Sequence, residues 1–385
     1  MNPKEKHSKK HRHHVIEGSH AIAEAARQCR PSVIAAYPIT PQTHIIEKLS
    51  EMAAGNLDAE YINVESEHSA MSACIGASAA GVRTFTSSSS QGLALMSEML
   101  FIASGMRLPI VMAVANRSLS APLSIWNDQS DSMAQRDSGW IQLYCESVQE
   151  AYDATIQAFR IAEKTSVPVM VCVDGFTISH VFEPISMLDD DCVEKFVGKF
   201  KPKIRLDTSN PVTMGSIAMP DSYMAFKKVQ SDAIIEAKKE IKKVNSDFAD
   251  KFGRSYGDGL IETYRMEDAE FALLGMGSLC STARVAIDDM RSKGKKVGLI
   301  KLRTFRPFPA EEFNKITAKL KGIAVIDRAI SLGNGGPLHI EVKSCIQNVI
   351  INDFITALGG RDINVKMLSD AVEKIGQKKE IDWLF

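Results

Sequence analysis

The sequence predicts an α/β protein built from a doubly wound, parallel-sheet domain and a second, smaller α/β domain. From Val15 onward, apolar runs of strand length alternate with amphipathic runs of helix length, the pattern of a parallel sheet covered on both faces. The rhythm is lost over residues 185–222, which carry several prolines, and returns near Glu270. A chain of 385 residues is long enough for two or three separate cores.

The elements follow in order. Residues 1–14 form a polar tail rich in Lys and His, expected to be solvated and disordered, with a metal-binding His tract as the alternative. Ser32–Ala36 reads as a strand, then a loop between prolines, then an amphipathic helix over Ile45–Ala53. Tyr61–Val64 is a strand and Glu67–Ala80 a helix. Arg83–Thr86 is a strand, followed by a serine loop and a helix near Leu93–Ser104. Pro109–Ala115 is a buried strand, Glu150–Lys164 a helix and Val167–Val173 a strand.

Beyond the irregular stretch, Phe226, Val229, Ala233, Ala237, Ile241, Val244 and Phe248 recur at helical spacing, and Gly253 supplies a C-terminal cap. This helix is expected to act as a strut between domains. The second unit has strands at Phe271–Gly275, Lys296–Leu302 and Gly322–Asp327, with helices at Ser281–Lys293 and Pro337–Val349. The expected division is a tail over 1–14, a first domain over 15–222, a connecting helix and linker over 223–262, and a second domain over 263–385.

Composition sets bounds on function. Hydrophobic residues at 45%, charged residues at 24% and a net charge of −1 give no basis for a nucleic-acid or membrane-surface partner. No apolar run has the length of a membrane span, and the N-terminal stretch lacks a signal-peptide core, so a cytoplasmic protein is expected. Seven dispersed cysteines without a C-x-x-C pair read as reduced thiols and argue against an iron–sulfur cluster on this chain.

In open parallel sheets, ligands sit at the carboxyl ends of strands, so chemistry is sought in the loops that follow them. The first loop, Tyr37-Pro38-Ile39-Thr40-Pro41-Gln42, presents one hydroxyl between two prolines. The second holds Glu65 and Glu67 at the start of a helix of small residues; acidic helix capping is one reading, a carboxylate in a dry pocket with a raised pKa the other. The third, the serine run through Ser90-Gln91-Gly92, reads as a polar binding loop rather than a linker. The fourth runs from Asn116-Arg117 through Asn127 and Asp128 to Asp131. An arginine there suits carboxylate recognition, or else a salt bridge to Asp128 or Asp131. No metal ligand is assigned. Gly257-Asp258-Gly259 lacks the asparagines of a metal-diphosphate motif and is read as a turn, and Gly275-Met276-Gly277 is too short for a dinucleotide loop.

Together and in this order, the loops resemble the α subunit of the 2-oxoacid:ferredoxin oxidoreductases, the pyruvate enzyme among them. The stretches are YPITPQT (37–43), VESEHSAMSACIGASAAG (64–81), SSQGLALMSEML (89–100), RLPIVMAVANR (107–117), APLSIWNDQSD (121–131) and QRDSGWIQ (135–142), with DGFTISH (174–180), LRTFRPFP (302–309) and DRAISLGNGGPLHIEV (327–342) farther on. The similarity covers about residues 15–350. Two small departures are a serine in the SSSSQG run where relatives more often have threonine, and His20 in place of another polar residue.

The resemblance implies a pyrimidine-type thiamine-diphosphate-binding domain and a transketolase C-terminal-like domain. It implies oxidative decarboxylation of a 2-oxo acid, pyruvate first, with CoA as acyl acceptor and ferredoxin as electron acceptor. Glu67 would hydrogen-bond the aminopyrimidine ring and drive the imino tautomer that deprotonates the thiazolium carbon, with Glu65 as the second choice. Thr40 and Arg117 would hold the substrate carboxylate, with Asn127 and Asp128 beside it. Tyr37, Pro38, Ser90, Gln91 and Gly92 would line the cofactor. A β subunit would bring the diphosphate and Mg²⁺ site and a [4Fe–4S] cluster, with γ and ferredoxin-like δ subunits completing the assembly. The alternatives are a 2-oxoisovalerate, 2-oxoglutarate or oxalate enzyme of the same family, the thiamine-binding β chain of a lipoate-linked dehydrogenase, or an assembly subunit without chemistry.

Overall fold

The computed structural model describes residues 12–55, 57–377 and 381–385. The chain opens with β1 (Arg12–Glu17) and α1 (Gly18–Gln28). Three strand–helix units follow: β2 (Val33–Ala36) and α2 (Thr43–Gly55), β3 (Glu60–Asn63) and α3 (Glu67–Ala79), then β4 (Thr84–Ser88) with α4 (Ser90–Leu95) and α5 (Ser97–Gly105). Next come β5 (Val111–Asn116), α6 (Ser130–Ala134), β6 (Ile141–Tyr144), α7 (Val148–Thr165), β7 (Val169–Asp174), β8 (Phe182–Met187), α8 (Asp190–Val197) and α9 (Tyr223–Phe252). The second unit holds β9 (Ile261–Tyr264), β10 (Phe271–Gly275), α10 (Leu279–Ser292), β11 (Val297–Leu302), β12 (Thr304–Arg306), α11 (Ala310–Thr317), β13 (Gly322–Asp327), α12 (Pro337–Cys345), β14 (Ile350–Thr356), α13 (Val365–Glu373) and β15 (Ile381–Leu384).

The first sheet has seven strands in the order β12-β6-β7-β5-β4-β2-β3, parallel except for β12. Its central strands β5 and β7 are buried at every position, which is why they read as unbroken apolar runs. The second sheet has six strands, β15-β14-β13-β10-β11-β9, with only β9 antiparallel. Alternate residues of β10 serve two cores. Ala272 and Leu274 join the large cluster shared with the first domain, and Leu273 packs under α10 and α13. Both sheets therefore match the α/β class expected from the sequence.

Two features depart from expectation. Of the tail expected over 1–14, residues 1–11 lie outside the described residues, but Arg12–His14 belong to β1, which pairs antiparallel with β8 from Arg12↔Met187 to Glu17↔Phe182. Backbone pairing of this two-stranded ribbon accepts polar side chains, so composition did not reveal it. The 185–222 stretch is not wholly irregular, since β8 and α8 fall within or across it. The helix α9 packs along α7 and also reaches the second unit, where Lys242 Nζ donates to Glu312 Oε1 of α11 at 2.6 Å. Ala237, Ile241, Val244 and Phe248 are buried, whereas Phe226 and Val229 remain exposed. Gly253 (φ 75°) closes α9 with its N–H on Ala249 O at 2.7 Å, as the sequence predicts.

The two sheets are joined by buried charge. After β11, Arg303 turns the chain so that β12 can add to the first sheet. Lys301 Nζ donates to Glu150 Oε2 at 2.6 Å and lies 2.9 Å from Glu146 and 3.1 Å from Glu262. Arg303 donates through Nε to Glu150 Oε1 (3.1 Å) and through Nη2 to Gln157 (3.1 Å). Burial works against the Lys301 charge, but Glu150, Glu146 and Glu262 together raise its pKa. Removing Lys301 would leave Glu150 with only Arg303, and Glu146 and Glu262 with only Arg284, so the buried network would carry unbalanced negative charge, at a cost of up to about 3–5 kcal/mol. Lys301→Met is therefore expected to lower the unfolding free energy read from urea titration by about that amount, and Glu150→Gln combined with Lys301→Met to cost less than the sum of the two. A Lys301→Met midpoint equal to the parent's would show that the network does not hold the domains.

Candidate active site at the strand ends

The carboxyl ends of β2, β3, β4 and β5 lie side by side in the first sheet, and the four loops singled out in the sequence follow them. Their starting positions are fixed by buried side chains. Gln42 Nε2 donates to Tyr37 O (2.7 Å) and Ser87 Oγ donates to Gln42 Oε1 (2.9 Å), so the Thr40 loop is tied to the end of β4. Tyr37, Pro38 and Thr40 are exposed on this loop.

Glu67 occupies the first turn of α3. Ser66 caps the helix by accepting from Ser69 N at 3.3 Å. Although it begins a helix, the Glu67 side chain is buried, and burial raises its pKa against a smaller opposing effect of its own backbone N–H. No cation pairs with it among the described residues. It rests on Gly92, where a Cβ would overlap the carboxyl group, 2.7 Å from Cδ and 2.8 Å from Cγ. Glu65, two residues earlier, is exposed; a hydrogen bond from Ser69 Oγ lowers its pKa. The two carboxylates are thus chemically distinct, and only Glu67 has a dry setting.

Arg117 approaches the Thr40 loop directly. Its Nη1 donates to Thr40 O (3.0 Å) and its Nε to Ser124 O (2.9 Å). Neither salt bridge considered from the sequence forms: Asp131 accepts the Arg117 backbone N–H (3.0 Å), and Asp128 turns elsewhere. With two guanidinium donors on carbonyls, the others are left for an anion. The structure therefore brings Thr40 and Arg117 together.

Other predicted residues are engaged within the chain. Asp128 Oδ1 accepts from Ser130 N (2.9 Å) and its Oδ2 from Gly359 N of the second domain (3.2 Å), so both oxygens have partners. Asn127 Nδ2 donates to Thr177 Oγ1 at 3.3 Å. The serine run is not an open loop. Ser87 and Ser88 belong to β4, all four serines are buried, Ser89 donates to Ala115 O (2.7 Å) and Ser90 to Ser118 O (2.6 Å). These hydroxyls peg β4 to its neighbours. Gln91, in contrast, has a buried Nε2 without a partner among the described residues.

Sequence reasoning missed two organising residues. Asp131 is fully buried and accepts from Ser90 N (2.9 Å), Arg117 N (3.0 Å), Asn116 Nδ2 (2.7 Å) and Ser132 N (2.7 Å). Burial pushes its pKa up to about 7 against the pull of those four donors. Asp174, at the end of β7, takes Ser278 N (2.7 Å) and pairs with Arg328 (2.6 Å). The short Gly275–Gly277 loop thus holds a carboxylate of this chain. Gly277 (φ 71°) is required there, since a Cβ would lie 2.7 Å from Asp174 Oδ2. Gly257-Asp258-Gly259 is a turn, as read from the sequence, with Asp258 Oδ1 accepting from Leu260 N and Ile261 N at 2.9 Å.

A buried, unpaired carboxyl, a glycine that makes room for it and an orphaned amide donor fit the aminopyrimidine end of thiamine diphosphate. Comparison with known proteins gives the family. The family described as pyruvate flavodoxin/ferredoxin oxidoreductase, thiamine diphosphate-binding, matches residues 24–246. Core domain II of pyruvate:ferredoxin oxidoreductase matches residues 269–368. Pyruvate synthase subunit PorA of Methanocaldococcus jannaschii is 54% identical over 94% of this chain and 95% of its own length. Ketoisovalerate oxidoreductase subunit VorA of Pyrococcus horikoshii is 47% identical over 96% and 97%. Among solved structures, a 2-oxoglutarate:ferredoxin oxidoreductase from Magnetococcus marinus shares the fold with a TM-score of 0.72 at 20% identity. That match covers 94% of this chain and 65% of the other. A split-gene transketolase shares the fold less closely, with a TM-score of 0.55 at 12% identity over 94% and 98% of the two chains. With two family models along its length and relatives near half identity over nearly the whole chain, this protein belongs to the pyruvate:ferredoxin oxidoreductase family.

Proposed function

We propose that this chain is the α-type subunit of a pyruvate:ferredoxin oxidoreductase, which converts pyruvate and CoA to acetyl-CoA and CO₂ while reducing ferredoxin. The observation that carries this reading is Glu67, a buried carboxyl without a cationic partner among the described residues, held against Gly92 beside the Thr40–Arg117 pair. Thiamine diphosphate, when bound, supplies the nucleophilic carbon and the electron sink for decarboxylation. Glu67 would hold a proton at its carboxyl oxygen and hydrogen-bond the aminopyrimidine ring, with Gln91 Nε2 as a further donor to the cofactor. Tyr37, Pro38, Ser90 and Gly92 would shape the cavity around it. Arg117 would seat the substrate carboxylate with its free donors, and Thr40 would bond it from the facing loop. Asn127 and Asp128 would act by holding the Arg117 side of the cleft.

The Mg²⁺–diphosphate site, the [4Fe–4S] clusters and the ferredoxin contact are assigned to β, γ and δ partner subunits. A partner surface is supported by the 121–126 loop, which exposes Leu123, Ile125 and Trp126 beside the cleft. Among the described residues no helix is long and apolar enough to cross a membrane, and the working compartment is proposed to be the cytoplasm. A 2-oxoisovalerate enzyme is the second reading, favoured by the identity to VorA. Anaerobic turnover of the co-purified complex with CoA, viologen and a panel of 2-oxo acids separates the two. Pyruvate is expected to give the highest kcat/KM, and a maximum on a branched 2-oxo acid would favour the second.

Two variants test the site. Glu67→Gln is expected to abolish turnover yet raise stability toward alkaline pH. The carboxyl's pKa in the fold lies above its ordinary value of 4.5. The stabilising effect of its proton is therefore lost as pH rises through the folded pKa, and the amide carries no such dependence. Thermal melts from pH 4 to 9 should show the variant's advantage growing with pH, and full activity in the variant would remove Glu67 from the mechanism. Gly92→Ala should displace the Glu67 carboxyl and cut kcat by about 10²-fold, the scale of an ångström misplacement. Gly76→Ala on α3, where a Cβ meets nothing within 4 Å, should leave turnover unchanged.

A further inference from the structure

We propose that Glu17, His44 and His180 form a binding site for one divalent transition-metal ion, zinc by ligand type, which clamps the start of α2 beside the Thr40 loop. The three residues come from distant parts of the chain: the end of β1, the first turn of α2 and the loop between β7 and β8. One ligating atom from each lies within 4.8 Å of the other two. Glu17 is buried, and its Oε1 stands 2.7 Å from His44 Nδ1. The His180 ring packs on that of His44, with centroids 4.5 Å apart, and His20 lies behind at 6.2 Å from His44.

A simple ion pair explains one imidazole beside Glu17 but not two. Two cationic rings at that separation would repel, whereas two neutral rings and a carboxylate are a ligand set. His180 also has the outer support that metal-bound imidazoles have, since its Nδ1 lies 2.8 Å from Ser179 Oγ, which in turn accepts from Phe176 N (2.9 Å). Two nitrogens and one oxygen with no thiolate suit zinc, and disfavour calcium or magnesium, which take oxygen ligands. Zinc bonds of 2.0–2.1 Å put tetrahedral ligands roughly 3.3 Å apart, so the Glu17–His44 contact would open slightly and the wider gaps close. His44 is part-exposed, which gives the ion a route in and a water the fourth position.

The consequence is positional. His44 stands four residues beyond Thr40, and Phe176, from the same loop as His180, packs at a tilt against Trp126 with ring centroids 4.7 Å apart. An ion at this point would fix the Thr40 loop relative to the segment that carries Arg117.

The test uses the whole complex grown with zinc, dialysed against a chelator of moderate strength, then read by elemental analysis and zinc K-edge absorption. The expected result is about one zinc per copy of this chain, in a nitrogen and oxygen shell with imidazole scattering. It should be lost in His44→Gln and His180→Gln and kept when His7 and His11 of the N-terminal tract are both changed to Ala. Should the histidine variants fail to assemble, Glu17→Gln gives the milder reading, a zinc affinity at least tenfold weaker by chelator competition. Absence of retained zinc, zinc lost with the tract histidines, or equal zinc affinity in parent and Glu17→Gln would overturn the proposal.

Discussion

Asp131 is the point on which the geometry of the cleft depends. Its carboxylate sits where three segments meet and satisfies the N–H groups of Ser90, Arg117 and Ser132 together with the Asn116 amide. Ser90 follows the end of β4, Asn116 ends β5 with Arg117 next, and Ser132 lies in the first turn of α6, and each donor buried there without a partner would cost about 1–3 kcal/mol. Ser90 adopts a positive φ of 47°, unusual for a side-chain-bearing residue, and the Asp131 contact with its N–H holds it there. From that turn follow the placement of Gly92 under Glu67, and from the Arg117 N–H the direction in which the guanidinium leaves β5. A neutral polar residue at 131 would keep the size but lose the acceptor capacity that all four donors use.

The second constraint lies between the domains. Asp174 closes the first domain's strand end onto Ser278 and Arg328 of the second, and Gln129 N bonds Arg328 O at 2.7 Å. A helix N-terminus with a glycine loop ahead of it binds anions in general. Here the anion is supplied from within the chain, which is why a sequence that begins like a dinucleotide loop does not serve as one. The same reasoning applies to Asp327, which accepts the N–H groups of Leu338 and His339 at 2.9 Å at the start of α12.

Much of this was legible in the sequence. The strands β2, β5, β7, β10 and β13 are buried on both faces, so their apolar runs announce them, and the loops that follow inherit their position from the rule for parallel sheets. The pairing of Thr40 with Arg117 and the dryness of Glu67 follow from that placement. What was not legible depends on partners distant in sequence. β1 pairs with a strand some 170 residues away and has no apolar alternation of its own, and β12 is three residues long. The serine run looked like a binding loop because hydroxyls in a strand end and hydroxyls in an open loop have the same composition. Only the acceptors at Ala115 and Ser118 distinguish them. Asp131 and Glu17 were indistinguishable from ordinary surface acids until their neighbours were known.

A lone buried carboxyl is costly to keep, and the fold keeps one. Hydrophobic neighbours of similar size would serve the core of α3 better than Glu67, and a cation beside it would relieve the charge. Neither is present among the described residues, while every other deeply buried acid discussed has found donors: four for Asp131, Arg328 and Ser278 for Asp174, Lys301 and Arg303 for Glu150. The exception marks where the chain is incomplete by itself. Gln91, next to Gly92, repeats the pattern with an amide donor that no described residue accepts. An acid that favours its proton and a donor without an acceptor, both at the same strand ends and both beside an exposed apolar loop, are best satisfied by one polar heterocycle bound between them. The cost of burying Glu67 and the cleft's fitness for a polar ligand are in that sense one property.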